Sequence, residues 1–372
     1  MTVKGWCPGA YRPMMSGDGL IVRVRPRKGH MTAAQTLGLC DLSHRFGNGV
    51  IDLTSRANLQ LRGIREDTHQ RVLEGLLGLD ILDESPEKEH RRNIVMTPLW
   101  SAGDINARLH DALCAALNHL PDLPAKMGFA IDAGNGPVLQ NTSADFRFEK
   151  SAEGGLILRL DGTLKGRAIT EDTAIAALIA AARWFVETGG PTAKRVAHHV
   201  HNKQLPKEWV AHAPAQPAKR LAPGRSARGA CYGAPFGSMD ARALSVLLKE
   251  SAATAMQLTP WRVFVLEHAQ PCPSHGFVTD PQDPVLSTHA CPGAPACGSA
   301  TTETREIARA LAPLHRDGLH VSGCAKGCAF PKPCATTLVG RDGAYDLVEQ
   351  GHPWDQPRQR GLSRADLTTI KA

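Results

Sequence analysis

The sequence predicts an α+β fold made by duplicating one unit, and three observations carry that expectation. "LTSRANLQL" (53–61) and "LTPWRVFVL" (258–266) share the pattern L-T-x6-L, 205 residues apart (53 to 258). Each follows a segment with 3.6-residue apolar spacing, "AAQTLGLCDLSHRFG" (33–47) and "DARALSVLLKESAATA" (240–255). Each leads into a loop and a longer, less regular stretch, so a helix followed by a β-rich segment occurs twice.

Two breaks divide the chain. "DESPEKEHRR" (83–92) is densely charged, and "AHAPAQPAKRLAPGRSAR" (211–228) has the Ala, Pro and basic composition of a linker. In the first repeat, alternation places Arg56, Asn58, Gln60 and Arg62 on one face of a strand. Ala57, Leu59 and Leu61 fall on the other. That polar face has two readings. One is the wet side of a half-buried strand. The other is a wall of guanidinium and amide groups for carboxylates, which arginine grips with two hydrogen bonds.

At 372 residues the chain has room for two or three domains and for a core without disulfide staples. The start has no apolar stretch of signal-peptide type, and "AIAALIAAA" (174–182) is too short to span a bilayer, so we expect a cytoplasmic protein. The net charge is +7, from 43 basic and 36 acidic residues, without the basic blocks of nucleic-acid arms. Aromatic residues at 5% are sparse for base stacking. Neither nucleic acid nor membrane is an expected partner.

Five of the ten cysteines crowd the last quarter. Cys291 and Cys297 form C-x5-C; after a gap of 26 residues Cys324 and Cys328 form C-x3-C. Cytoplasmic thiols stay reduced, which favours metal binding over disulfides. An iron–sulfur cluster needs four soft thiolates around a large cube, which wide and unequal spacings serve. Zinc favours C-x2–4-C pairs, which only the second pair satisfies. Unrelated buried thiols are the third reading. Gly323 and Gly327 precede the later two cysteines, where backbone N–H groups can approach sulfur. Cys334 follows Pro331 and Pro333 and reads as structural; Cys7, Cys40, Cys114, Cys231 and Cys272 read as small buried hydrophobes.

The cysteine spacing, with "TSRANLQLRGI" far upstream, resembles the sulfite and nitrite reductase superfamily. "RRNI" (91–94), "LPAKMGFAID" (123–132), "SADFRF" (143–148) and "VSGCAKGCAFP" follow in the same order. The resemblance implies duplicated ferredoxin-like half domains plus duplicated sulfite-reductase-type domains, one of which carries a 4Fe–4S cluster beside a tetrapyrrole. On this chain the halves would be 16–82 and 229–285. A cluster-free tetrapyrrole domain would span 88–210, a linker 211–228, a cluster domain 286–351 and a tail 352–372. Cys291, Cys297, Cys324 and Cys328 would hold the cluster. Arg56 matches the arginine of the T-x-R motif, Arg92 that of R-N, and Lys126 the anion-facing lysine. With Asn58, Gln60 and Arg62 they form the expected tetrapyrrole-binding set. Gly128 stands where the reductases carry a second lysine, which counts against six-electron reduction of a small anion.

Within the superfamily the chain resembles the branch that hydroxylates a tetrapyrrole on the aerobic route to cobalamin. That resemblance implies a monooxygenase with O2 and NADH as co-substrates and a non-haem iron beside the cluster. No protein side chain supplies the one-electron steps that activate O2, and a cluster can deliver those electrons. No G-x-G-x-x-G opens a strand–turn–helix; "GNGV" (47–50) lacks the third glycine, so NADH would act through a separate electron-donor protein or bind without that fingerprint. Ligands of the non-haem iron are unassigned. "HHVH" (198–201) reads as a solvated segment, and His289 and His320 are loose candidates. Two rival readings remain: a sirohaem-dependent sulfite or nitrite reductase, and a non-catalytic module stabilised by metal.

Overall fold

Four five-stranded sheets organise the chain, and they come as two matched pairs. The computed structural model describes residues 8–201 and 203–369, which leaves Cys7 outside the described residues. The first unit runs β1 (Met14–Ser16), β2 (Gly19–Val24), β3 (His30–Thr32), helix Ala33–Phe46, β4 (Val50–Leu53) and β5 (Leu59–Ile64). Thr32 starts that helix with a capping box: its hydroxyl accepts from the Gln35 N–H, and the Gln35 side chain accepts from the Thr32 N–H.

A second unit follows, with β6 (Ile94–Met96), helix Ile105–Ala116, β7 (Phe129–Asp132), β8 (Phe146–Lys150), β9 (Leu156–Leu160) and β10 (Arg167–Ile169). The first unit then recurs as β11 (Gly224–Ser226), β12 (Gly229–Gly233), β13 (Ser238–Asp240), helix Ala241–Glu250, β14 (Ala255–Leu258) and β15 (Val263–Glu267). The second recurs as β16 (Thr288–Ala290), helix Arg305–Leu311, β17 (Leu319–Ser322), β18 (Cys334–Arg341), β19 (Ala344–Gly351) and β20 (Gln359–Leu362). The expected duplication is present and extends to every strand.

The two ferredoxin-like halves are not separate bodies bounded at 16–82 and 229–285. Their sheets run β1-β2-β5-β4-β13 and β11-β12-β15-β14-β3, so each half lends one strand to the other. Met239 pairs with Ile51, and Met31 pairs with Met256. The exchange covers the edges of β4 and β14, which would otherwise present open hydrogen-bonding groups. The two long helices pack together, and Leu39, Ile51, Leu59, Leu244 and Phe264 share one core.

The repeat also keeps its backbone. Ala57 (φ 52°) and Arg262 (φ 63°) occupy the same left-handed turn position in the two copies. This turn corrects the expected strand: β5 begins at Leu59, so Arg56 and Asn58 precede it. From Gln60 onward the alternation holds, with Leu59 and Leu61 fully buried.

In the other two sheets β6, β7 and β8 run parallel and β9 and β10 antiparallel; β16 to β20 repeat that arrangement. Residues 211–228 are not a free linker. His212 pairs with Gly166, the Ala218 N–H donates to the Pro137 carbonyl at 2.9 Å, and β11 lies inside the segment. Nor is 352–372 merely a tail, because β20 closes the last sheet and Leu362 and Leu367 are buried. Both segments lack apolar periodicity, yet their backbone groups find partners on sheet edges. Among the described residues no helix is long and apolar enough to cross a membrane.

Candidate active site

Cys291 follows β16 directly, and Cys324 and Cys328 follow β17. These strands are parallel neighbours, so their C-terminal loops meet. Burial raises the Cys328 thiol pKa, and the charges of Cys324, Cys291 and Cys297 raise it further. The other three thiols therefore lie near enough to Cys328 to act on its charge. The Gly323 N–H donates to Cys291 Sγ at 3.2 Å, and a Cβ on Gly323 would lie 2.5 Å from that of Ala300. Only glycine allows this approach of backbone to sulfur. Cys334 opens β18 at the far end of the sheet, where burial raises its pKa.

The first ferredoxin-like half clamps the Cys297 loop. Arg62 and Ser16 donate to the Ala296 carbonyl at 3.1 and 2.8 Å, and a Cβ at Gly17 would meet the Pro295 carbonyl at 2.6 Å. Arg62 also pairs with Asp18 at 2.9 Å and Asp52 at 3.4 Å. It is buried and fully engaged, so it positions the loop and does not face a ligand.

A cavity of about 640 Å³ lies where the ferredoxin-like halves meet the cysteine loops. Gln60 and Ser55 line it from the first half, and Trp261 and Arg262 from the second. Cys291, Cys328, His289 and Arg305 complete the wall. Of the residues expected to bind a tetrapyrrole, only Gln60 lines this cavity. Asn58 is buried in the preceding turn. Arg92 is buried as well; it pairs with Asp83 at 2.7 Å and donates to the Arg25 carbonyl at 2.8 Å, the environment of a fold residue.

Arg56 and Lys126 do converge, 70 positions apart in sequence. Arg56, next to Ser55, donates to the Lys126 carbonyl at 2.9 Å and to Ser143 Oγ at 3.2 Å. Arg195 joins them through Ser143 Oγ at 3.1 Å and Asp145 at 2.9 Å. Its partners lie in "SADFRF", the signal that could have found it. At Gly128 a Cβ would sit 2.8 Å from the Asn93 carbonyl, so a second lysine has no room there.

Two histidines lie close together, His289 in the cavity wall and His320 outside its lining. The Arg262 guanidinium donates to His289 Nδ1, which puts the neutral ring's proton on Nε2, and Phe330 stacks on that ring at 3.9 Å. Burial, then Arg262 and His320, lower the His289 pKa to about 3. His320 is fully buried, neither ring nitrogen has a partner among the described residues, and burial with Arg262 lowers its pKa to about 4. Arg262 itself is pulled down to about 10 by desolvation and Arg305. In the "HHVH" segment His199 corrects the solvated reading: it is buried against Trp184 and Phe185 and bonds Thr188 Oγ1 at 2.7 Å.

Comparison with known proteins fits this geometry. Residues 12–79 match the family model described as the nitrite/sulfite reductase ferredoxin-like half domain. A precorrin-3B synthase from a Sinorhizobium species is 32% identical over 388 residues, covering 94% of this chain and 83% of that protein. The chain belongs to the precorrin-3B synthase family. It is thereby an oxidoreductase of the nitrite and sulfite reductase superfamily. A ferredoxin–nitrite reductase of Synechococcus elongatus is 26% identical over 164 residues, 41% of this chain and 32% of that protein. The structure of the Mycobacterium tuberculosis NirA protein superposes with a TM-score of 0.63 at 17% identity, over 94% of this chain and 79% of that one. That likeness supports the fold.

Proposed function

We propose that this protein is a precorrin-3B synthase. It hydroxylates precorrin-3A at the meso carbon between rings A and D, and a neighbouring acetate closes a γ-lactone. One atom of O2 enters the macrocycle and the other leaves as water, with two electrons supplied by NADH through a separate donor protein. The observation that carries the reading is the position of Cys291 and Cys328. They stand in the wall of a large cavity that also presents Arg262 and Arg305. A one-electron centre and an anion-binding wall thus share one enclosure.

The four cysteines fit a 4Fe–4S cluster. Cys324, Cys291 and Cys297 each lie near enough to Cys328 to raise its thiol pKa, and Cys291 Sγ already accepts a backbone N–H of the kind that tunes cluster potential. When bound, the cluster would supply single-electron transfer. A mononuclear non-haem iron finds no such fit. Among the described residues no three His, Cys, Asp or Glu side chains converge on one ion-sized position, so we draw no step through one.

The chain's own residues bind and orient. At about 4 Å and an effective dielectric near 20, each arginine–carboxylate pair gains roughly 4 kcal/mol before desolvation. A few such pairs hold a polycarboxylate in one pose, which makes the hydroxylation position-specific. The Arg56–Lys126–Arg195 group extends the positive surface beside Ser55.

The sirohaem-dependent reductase reading is disfavoured by Gly128, whose packing leaves no space for the second lysine. Metal and sulfide analysis with an absorption spectrum of anaerobically purified protein tests the choice. We expect iron and acid-labile sulfide, no extractable sirohaem, and no turnover of sulfite or nitrite with a strong artificial donor. Sirohaem at one per chain with turnover of either anion would overturn the proposal.

A further inference from the structure

One charged network that reaches the cavity wall at Asp52, Arg305 and Arg262 does not balance. It runs Asp18–Arg62–Asp52–Arg305 through contacts of 2.9, 3.4 and 2.9 Å, and it ends beside Arg262. Three guanidinium groups therefore face two carboxylates, and the surplus charge rests on Arg262. Among the described residues its hydrogen bonds go to neutral acceptors, the Thr288 carbonyl at 2.6 Å and His289 Nδ1. Arg305 spends its terminal nitrogens on Ser238 and Asp52, while its buried Nε has no acceptor. An enclosed guanidinium without a counter-charge costs free energy until an anion arrives.

We propose that Arg262, with Arg305 and His289, is a carboxylate-binding subsite of this cavity that receives an acidic arm of the tetrapyrrole. The inference rests on the tetrapyrrole reading above and adds the residues that would grip one arm. The repeat gives it a control within the chain. The matching turn position in the first half is Ala57, which has the same left-handed backbone, so the fold does not need a cation there. The His289 ring, fixed by Arg262 and by stacking on Phe330, carries its proton on Nε2 and so adds a neutral donor to the cavity wall. A small inorganic oxyanion would meet the same donors, but a cavity of about 640 Å³ is far larger than one such ion. The observations favour a carboxylate on a large body.

The test is an anaerobic fluorescence titration of wild type, Arg262→Gln and Arg262→Lys. The probes are uroporphyrin, which carries acetate and propionate arms, and its uncharged octamethyl ester. Thermal midpoint and iron and sulfide content are measured in parallel. Arg262→Gln should weaken uroporphyrin binding at least tenfold, and Arg262→Lys should fall between it and wild type. The ester should not distinguish the three proteins. Without ligand, Arg262→Gln should melt no lower than wild type, because an uncompensated charge has been removed. Equal uroporphyrin affinity in wild type and Arg262→Gln overturns the subsite and leaves the tetrapyrrole reading standing. No binding by the wild type overturns that reading and the subsite together. A lower midpoint with loss of iron makes Arg262 a fold residue and overturns the subsite. So does binding of sulfite at low millimolar concentration by a wild type that binds no porphyrin.

Discussion

The two sulfite-reductase-type sheets share one topology and differ in what their loops carry. After β16 comes Cys291; after β6, at the matching place, comes Thr97. β17 ends on Ser322, whose hydroxyl donates to the Cys324 carbonyl at 2.7 Å. β7 ends on Asp132, whose carboxylate accepts from the Val138 and Leu139 N–H groups at 2.6 Å each. Both loop pairs enclose a cavity. The first, about 470 Å³, is walled by Thr97, Asp104, Asp132 and Asn135 and has no sulfur; the second has Cys291 and Cys328. Duplication supplied two loop clusters at the ends of parallel strands, and on the reading proposed above only the second has the side chains for a redox role. In the first half a buried carboxylate organises the loop with hydrogen bonds, where the second carries the four cysteines proposed above as cluster ligands.

The comparison breaks most sharply at the cysteines. Replacing any one of Cys291, Cys297, Cys324 or Cys328 by Ser should abolish iron and sulfide loading, because a hard alcohol replaces a soft thiolate. Cys334→Ser should load normally, since Cys334 lies at the opposite end of β18. Loss of the cluster in Cys334→Ser, with retention in any of the four, would reverse the assignment.

Next come the arginines of the first half. Arg92→Ala leaves the buried Asp83 with only Arg27, 3.6 Å away, and should cost about 3–5 kcal/mol in denaturant unfolding. Arg56→Ala removes contacts at a more accessible place and should cost only about 1 kcal/mol while weakening uroporphyrin binding. An equal loss of stability in both variants would erase the distinction drawn here between fold and binding arginines.

Asp132 sharpens the comparison through pH. Burial raises its pKa to about 6, against the lowering effect of the Leu139 and Val138 N–H bonds. The folded protein therefore keeps a proton that the unfolded chain releases near pH 4. Wild-type stability should fall as pH rises from about 4 to 6, by at most about 3 kcal/mol. Asp132→Asn should lack that fall. Parallel stability–pH curves for the two proteins would remove Asp132 from the account.

The smallest effect concerns His320. Its two orphan ring nitrogens sit in full burial, so His320→Phe should hold stability or raise it by about 1 kcal/mol, with a thermal midpoint no lower than wild type. With a lowered folded pKa near 4, the wild-type imidazole contributes stability that is present above about pH 6.5 and lost on acidification. The variant should therefore lose less between pH 6.5 and 4. A midpoint several degrees lower would mean that His320 bonds something essential.

The sequence by itself determined the duplication, through one nine-residue pattern and two periodic helices. It also marked the four sulfurs, because spacing and neighbouring glycines are local facts. It singled out Arg56 and Lys126, which the fold brings together. Tertiary structure alone decided what each arginine does. Arg62 and Arg92 look like Arg56 in sequence, but carboxylates at Asp18, Asp52 and Asp83 claim them. Arg262 sits inside the second copy of the nine-residue pattern, which gives it no role; the role proposed for it comes from a charge count across segments more than 200 residues apart. The exchange of β3 and β13 was equally invisible, since a strand's pattern specifies which face is buried and not whose edge it covers. Local periodicity encodes elements, whereas pairing and charge balance are settled only when distant segments share one interior.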